Sequence, residues 1–139
     1  MVRVFVDTNV LVRYVIQDDI KKFEQVKGFF EAVSRGEVVL YLSSVVLLEM
    51  AFVLKSVYRK ETEEIVKVVK RLVKTRGCVI VDKTSLKLAL EYLDKYKVKF
   101  SDCLIASSIP KGVKVFSYDS DFKKMKLNLL DIRGLCYNM

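Results

Sequence analysis

Four short runs of β-branched and other apolar residues punctuate the chain. They are Val2-Arg3-Val4-Phe5-Val6, Val38-Val39-Leu40-Tyr41-Leu42, Cys78-Val79-Ile80-Val81 and Val113-Lys114-Val115-Phe116-Ser117. Segments with helical signals separate them. Near-continuous apolar strands are buried on both faces, and strands spaced by helices pair in parallel. The pattern therefore predicts an α/β fold, a parallel sheet covered by helices. In open sheets of this kind ligands bind at the carboxyl ends of the strands.

The segments between the runs carry start and stop signals. Residues 8–16 form a short helix. Asp18 or Asp19 caps a second that runs to about Arg35, where Gly36 is placed to stop it. Ser43 or Ser44 caps a long apolar helix reaching about Arg59. Residues 61–75 are amphipathic, with Ile65, Val66, Val69, Leu72 and Val73 on one stripe and Gly77 closing the helix. Thr84 or Ser85 caps a helix to about Tyr96, and Ser101 caps another that ends before Pro110. Residues 128–132 read as a short fifth strand. No repeat or linker interrupts the chain, and 139 residues with 52% hydrophobic content suffice for a real core, so residues 1–139 read as a single domain.

Several classes are excluded. No apolar run reaches the ~18 residues of a membrane span. The opening run meets Asp7 too soon for a signal peptide, which points to the cytoplasm. Cys78, Cys103 and Cys136 are far apart and odd in number, so they form neither a disulfide framework nor a zinc motif, and read as reduced thiols. The net charge of +8 points to a polyanionic partner without saying which.

Four acidic motifs narrow the choice: Val6-Asp7-Thr8-Asn9, Leu48-Glu49-Met50, Phe100-Ser101-Asp102-Cys103 and Tyr118-Asp119-Ser120-Asp121-Phe122. Asp7 ends the first strand and Asp119 follows the fourth, so spacing alone puts both at the carboxyl edge of the sheet. Each acid has an ordinary alternative. Asp7 suits a helix cap or turn. Asp102 suits the first turn of a helix, where negative charge gains ~0.3–1 kcal/mol. Asp119 and Asp121 suit a turn and a cap. Glu49 is the sole charge between Val45 and Leu54, and its helical neighbours Val45, Val46, Phe52 and Val53 offer it no ion pair. Buried there it is costly unless paired or metal-bound, the alternative being a partly exposed Glu at the helix edge.

As a set the acids say more. Separate elements deliver carboxylates to one end of a sheet, where they raise one another's pKa unless a cation intervenes. The chain has no His. Carboxylates without His or paired Cys favour Mg²⁺ or Mn²⁺ over zinc. A hard cation on a basic protein suggests phosphodiester hydrolysis. Asn9 and Ser117 are candidate supporting groups. Arg13, Lys55, Arg59, Lys60, Lys123 and Lys124 are candidates to guide a phosphodiester backbone, whereas Lys67, Lys70, Arg71 and Lys74 read as a solvated face.

With these flanks, order and spacing, the chain from residue 2 to about residue 132 resembles the PIN-domain ribonucleases, above all the VapC-type toxins of toxin–antitoxin pairs. The resemblance implies a three-layer sandwich around a five-stranded parallel sheet, and an Mg²⁺- or Mn²⁺-dependent endoribonuclease that leaves 5′-phosphate and 3′-hydroxyl ends. It carries over Asp7, Glu49, Asp102 and Asp119 as the metal-binding catalytic acids, Asp121 as an auxiliary acid at the metal, and Asn9 and Ser117 as supporting groups. It also implies a homodimer and a small VapB-type antitoxin that covers the groove. The helices at 44–59 and 61–75, carrying Phe52, Val53, Val57 and Tyr58, are expected to build part of both contacts. Competing readings are a PIN-domain RNA-processing nuclease that is no toxin, and a catalytically inactive PIN module that only binds RNA or protein. A response-regulator phosphoacceptor fits less well, because it needs an acid pair at the end of the first strand and has no use for Glu49.

Overall fold

The strand β1 (Val2–Val6) lies between two neighbours of the same direction, which makes its fully apolar second half a core element. The computed structural model describes residues 1–133. After β1 come α1 (Thr8–Val15), α2 (Ile20–Ser34), β2 (Val38–Ser43), α3 (Ser44–Ser56), α4 (Thr62–Val73), β3 (Val79–Val81), α5 (Leu86–Tyr96), α6 (Phe100–Ser107), β4 (Lys114–Phe116) and α7 (Ser120–Lys124). The strands are ordered β3-β2-β1-β4 and all described pairings are parallel. Val4 faces Leu40 on one side and Lys114 on the other.

This order has one reversal. The chain steps from β1 to β2 to β3 in one direction and then returns to β4 on the far side of β1. Parallel crossovers are right-handed, so the reversal sends the helices before β4 to the other face of the sheet. It also leaves a crevice beyond the carboxyl ends of β1 and β4, where the two connections part.

The core follows from the apolar runs. Val4, Phe5, Val6, Leu40 and Leu42 are fully buried, and Phe29 of α2 packs edge-on against Phe116 with centroids 5.1 Å apart. The capping chemistry resolves the alternatives left by the sequence. Asp19 accepts from the Lys22 amide, Ser43 from Val45, and Ser85 from Leu88. Gly36 adopts φ of +78°, the left-handed conformation that ends α2.

Two expectations need correction. Ser101 does not cap α6: the helix begins at Phe100 with Lys99 at the cap position, which places Ser101 inside the first turn. The fifth strand shrinks to one bridge. Val115 donates to Asn128 and accepts from Leu130, each at 2.8 Å, around the pairing of Val115 with Leu129. The reason is that β4 is only three residues long, and the Arg133 amide then bonds to Asp131 Oδ1, turning the chain at once. The described sheet therefore has four strands rather than five. The apolar helix α3 has an inner and an outer face. Val46, Met50 and Leu54 form its inner stripe, while Leu48 and Phe52 are 72% and 69% exposed. Cys78 and Cys103 are free thiols, and Cys136 lies outside the described residues.

Candidate active site

Asp7 directly follows β1, and its amide donates to the Phe116 carbonyl at the end of β4. The two strand ends are thus tied together at the reversal of strand order. Asp7 occupies the N-cap position of α1, yet its side chain caps nothing. Instead its Oδ2 accepts from Ser117 Oγ at 2.7 Å, while Oδ1 is buried without a hydrogen-bond partner. Burial pushes the Asp7 carboxyl up to about 6, against the pull of the Ser117 hydroxyl, and Glu49 and Asp119 add to the rise.

The β4–α7 turn supplies the next acids. Ser117 Oγ accepts from the Asp119 amide at 3.0 Å, so one hydroxyl orients both Asp7 and the turn. Asp119 Oδ1 caps α7 by accepting from the Asp121 amide at 2.9 Å. Its Oδ2 remains for the cleft. Asn9 Oδ1 accepts from the Tyr118 amide at 3.1 Å and pins this turn to α1.

From α6, the Asp102 side chain enters almost fully buried. Its Oδ2 has no hydrogen-bond partner. Burial raises its pKa well above the usual carboxylate range, helped by a hydrogen bond with Asp121 and by the charge of Asp119. One carboxylate oxygen each from Asp102, Asp119 and Asp121 lies within 4.8 Å of the others. Asp7, Thr8, Asn9, Val12, Arg13, Glu49, Val53, Tyr58, Lys99, Asp102 and Asp119 line one open cleft of about 320 Å³.

The PIN domain family profile matches residues 4–127. The chain belongs to the PIN-domain family. It is also similar to a protein described as a VapC ribonuclease from Aquifex aeolicus, at 29% identity over 86% of this chain and 89% of that protein. Among solved structures the fold resembles VapC20 of Mycobacterium tuberculosis, described as a Sarcin-Ricin loop cleaving toxin. That match has a TM-score of 0.68 and 18% identity, over 89% of this chain and 95% of the other. It also resembles VapBC2 from Rickettsia felis, solved bound to a DNA fragment from its promoter. Here the TM-score is 0.63 and the identity 19%, over 92% and 96% of the two chains.

This PIN domain gathers the acids unevenly. Asp102, Asp119 and Asp121 form the tight trio, Asp7 adjoins it through Ser117, and Glu49 lies across the cleft. Glu49 is only partly buried, against the expectation of a carboxylate sunk in an apolar helix, because it borders the stripe of α3 that turns Leu48 and Phe52 to solvent. Ser117 holds a carboxylate as anticipated, whereas Asn9 bonds the turn backbone and not Asp7.

Of the basic candidates, Arg13 lines the cleft, where Asp18 holds its guanidinium at 2.6 Å. Lys55 is turned to Thr62 of α4, and Arg59 and Lys123 are exposed outside the cleft lining. The sequence reading missed Lys99. Its Nζ lies 3.8 Å from Asp102 Oδ2 and 3.7 Å from Asp119 Oδ2. A Lys three residues ahead of Asp102 was the available signal, since that spacing puts both on one face of a helix start.

Proposed function

We propose that this PIN domain is a divalent-metal-dependent endoribonuclease and the toxin of a VapBC-type pair. The observation that carries the nuclease reading is the pair of buried carboxylate oxygens, Asp7 Oδ1 and Asp102 Oδ2, that accept no hydrogen bond within the protein. A buried acceptor left unmet destabilises the fold unless something meets it. An all-oxygen donor set beside a third and fourth carboxylate fits a hard cation such as Mg²⁺ or Mn²⁺. Asp7, Asp102 and Asp119 would hold it, with Glu49 and Asp121 completing the set. Such an ion supplies an acidified water and stabilises charge on a phosphate.

The chain's own groups would do the rest. Ser117 fixes the rotamer of Asp7 and leaves Oδ1 for the ligand. Capping of α7 fixes Asp119 with Oδ2 presented. The Asn9 bond keeps the turn closed on α1, so the three acids keep their spacing. Arg13, Lys99 and, further out, Lys55, Arg59 and Lys123 would carry the RNA phosphates, with recognition set by RNA shape and loops.

The toxin role is supported by the VapC ribonuclease likeness and by the apolar surface of α3 and its end, where Leu48, Phe52 and the following Val57 are exposed. A patch of this kind suits a protein partner. We assign it to a VapB-type antitoxin and to a homodimer contact, in a protein that works in the cytoplasm as a single domain. Among the described residues no helix is long and apolar enough to cross a membrane. The test is cleavage of a structured RNA with and without EDTA, with mapping of the product ends. Metal-dependent cuts leaving 5′-phosphates are expected; undiminished cleavage in EDTA would overturn the mechanism. Sedimentation as a dimer, and inhibition by a small co-expressed gene neighbour, test the toxin role. A monomer with no such neighbour would leave an RNA-processing nuclease.

A further inference from the structure

Lys99 stands at the head of α6 and bridges acids from two elements, Asp102 on α6 and Asp119 in the β4–α7 turn. Its distances of 3.8 and 3.7 Å are those of ion pairs and too long for hydrogen bonds, so Asp102 Oδ2 stays without a donor. The Lys99 side chain is 69% exposed and reaches the cluster from solvent on a flexible stem. The neighbouring cations are placed differently. Arg13 is held by Asp18, and Lys124 pairs with Asp121 on its own helix. The Lys99 ammonium sits in the field of four acids. Asp102 raises its pKa most, burial opposes, and Asp119, Asp121 and Glu49 add smaller rises.

We propose that Lys99 is a tethered counter-cation that neutralises Asp102 and Asp119 until a divalent ion displaces it. The inference rests on the metal-site reading above and adds to it a device that sets how much free metal the site requires. An ammonium within 4 Å of two carboxylates shares their field with any ion bound to them. The two cations repel, so the lysine must swing to solvent as the ion enters. Its exposed, unpinned stem makes that movement easy. Without metal, the same ammonium offsets part of the repulsion among the acids.

Mn²⁺ titration calorimetry on metal-free protein, paired with thermal melts in EDTA, tests this. The proteins are wild type, Lys99→Met, Lys99→Arg and Lys111→Met. Lys111 is exposed in the turn before β4, at the opposite end of the strands, and its variant controls for the loss of one net charge. Lys99→Met should tighten Mn²⁺ binding about 3- to 10-fold, as expected for removing one screened unit charge ~4 Å from the ion. The same variant should melt at a lower temperature in EDTA. Lys99→Arg should stay near wild type in both, and Lys111→Met should change neither. Equal or weaker Mn²⁺ binding by Lys99→Met would overturn the counter-cation role and leave the metal site standing. Failure of every variant, wild type included, to bind Mn²⁺ would overturn the metal reading and this inference together.

Discussion

The sheet carries a concavity at each end, of about 310 Å³ at the amino ends of the strands and about 320 Å³ at the carboxyl ends. Size does not separate them; what their polar groups lack does. At the amino end, Arg35 donates to both oxygens of Glu37 at 2.9 and 3.1 Å, and Ser34 donates to the Glu31 carbonyl. The pair lowers the Glu37 pKa and raises that of Arg35, as a satisfied ion pair does. At the carboxyl end the pKa values of Asp7 and Asp102 move the other way from that of Glu37, driven first by burial, and each leaves a buried oxygen without a hydrogen bond. One end is arranged to fold. The other keeps acids that work against folding, which is what supports the proposed ligand site there.

The sharpest way to break this contrast is by activity. Asp102→Asn should lower RNA cleavage on the order of 10²-fold or more, because in the proposed metal site it removes one of the carboxylates that would hold the ion. Arg76→Ala, in the amino-end concavity, should leave cleavage within about twofold, as expected of an exposed site away from the chemistry. Comparable losses in both variants would erase the distinction between the two ends.

Stability should respond in the opposite sense. In EDTA, at a pH above the raised pKa of Asp102, Asp102→Asn should raise stability by about 1–3 kcal/mol, since a buried charge among like charges is then removed while its shape is kept. Glu37→Gln should instead lower the melting temperature slightly, because it breaks a satisfied pair. Denaturant melts of both variants check the signs. Glu49→Gln should move apo stability less than Asp102→Asn, because Glu49 is only partly buried.

The pH dependence sharpens the comparison further. The Asp7 carboxyl titrates near 6 in the fold against 3.8 for the free group, and Asp102 is raised as well. Between these values the folded state holds protons that the unfolded state has lost, so stability falls as pH rises through them. Metal-free protein should therefore be more stable at pH 5 than at pH 7.5, by about 1–3 kcal/mol. Saturating Mn²⁺ should flatten or reverse that slope. A metal-free protein that is less stable at pH 5 would contradict the buried-acid account. A smaller effect is expected from Ser117→Ala, which removes the 2.7 Å bond to Asp7 and should weaken Mn²⁺ binding about tenfold, as loss of an outer-shell partner does.

Much of this was legible in the sequence because its signals are local. Val2–Val6 and Val38–Leu42 read as buried parallel strands, and capping chemistry narrowed three helix starts to neighbouring pairs of which Asp19, Ser43 and Ser85 are the caps. Placing Asp7 and Asp119 at one edge followed from strand direction. What was not legible depends on tertiary detail. The length of a fifth strand is set by the three residues β4 offers it. The exposure of Leu48, Phe52 and Glu49 is set by which stripe of α3 meets the sheet, and an all-apolar helix does not announce its inner face. Lys99 pairs with Asp102 at short range, but its approach to Asp119 joins α6 to a turn some twenty residues later, which spacing does not reveal.

The most direct test of the contrast between the two ends is to locate the cation. A crystal of the protein grown with Mn²⁺ and measured at a wavelength where manganese scatters anomalously should show a peak among Asp7, Asp102 and Asp119, with Lys99 turned away and no peak in the amino-end concavity. An occupied Mn²⁺ site elsewhere with none at these carboxylates, or no peak at millimolar Mn²⁺, would contradict the claim that their unmet charge is there to bind metal.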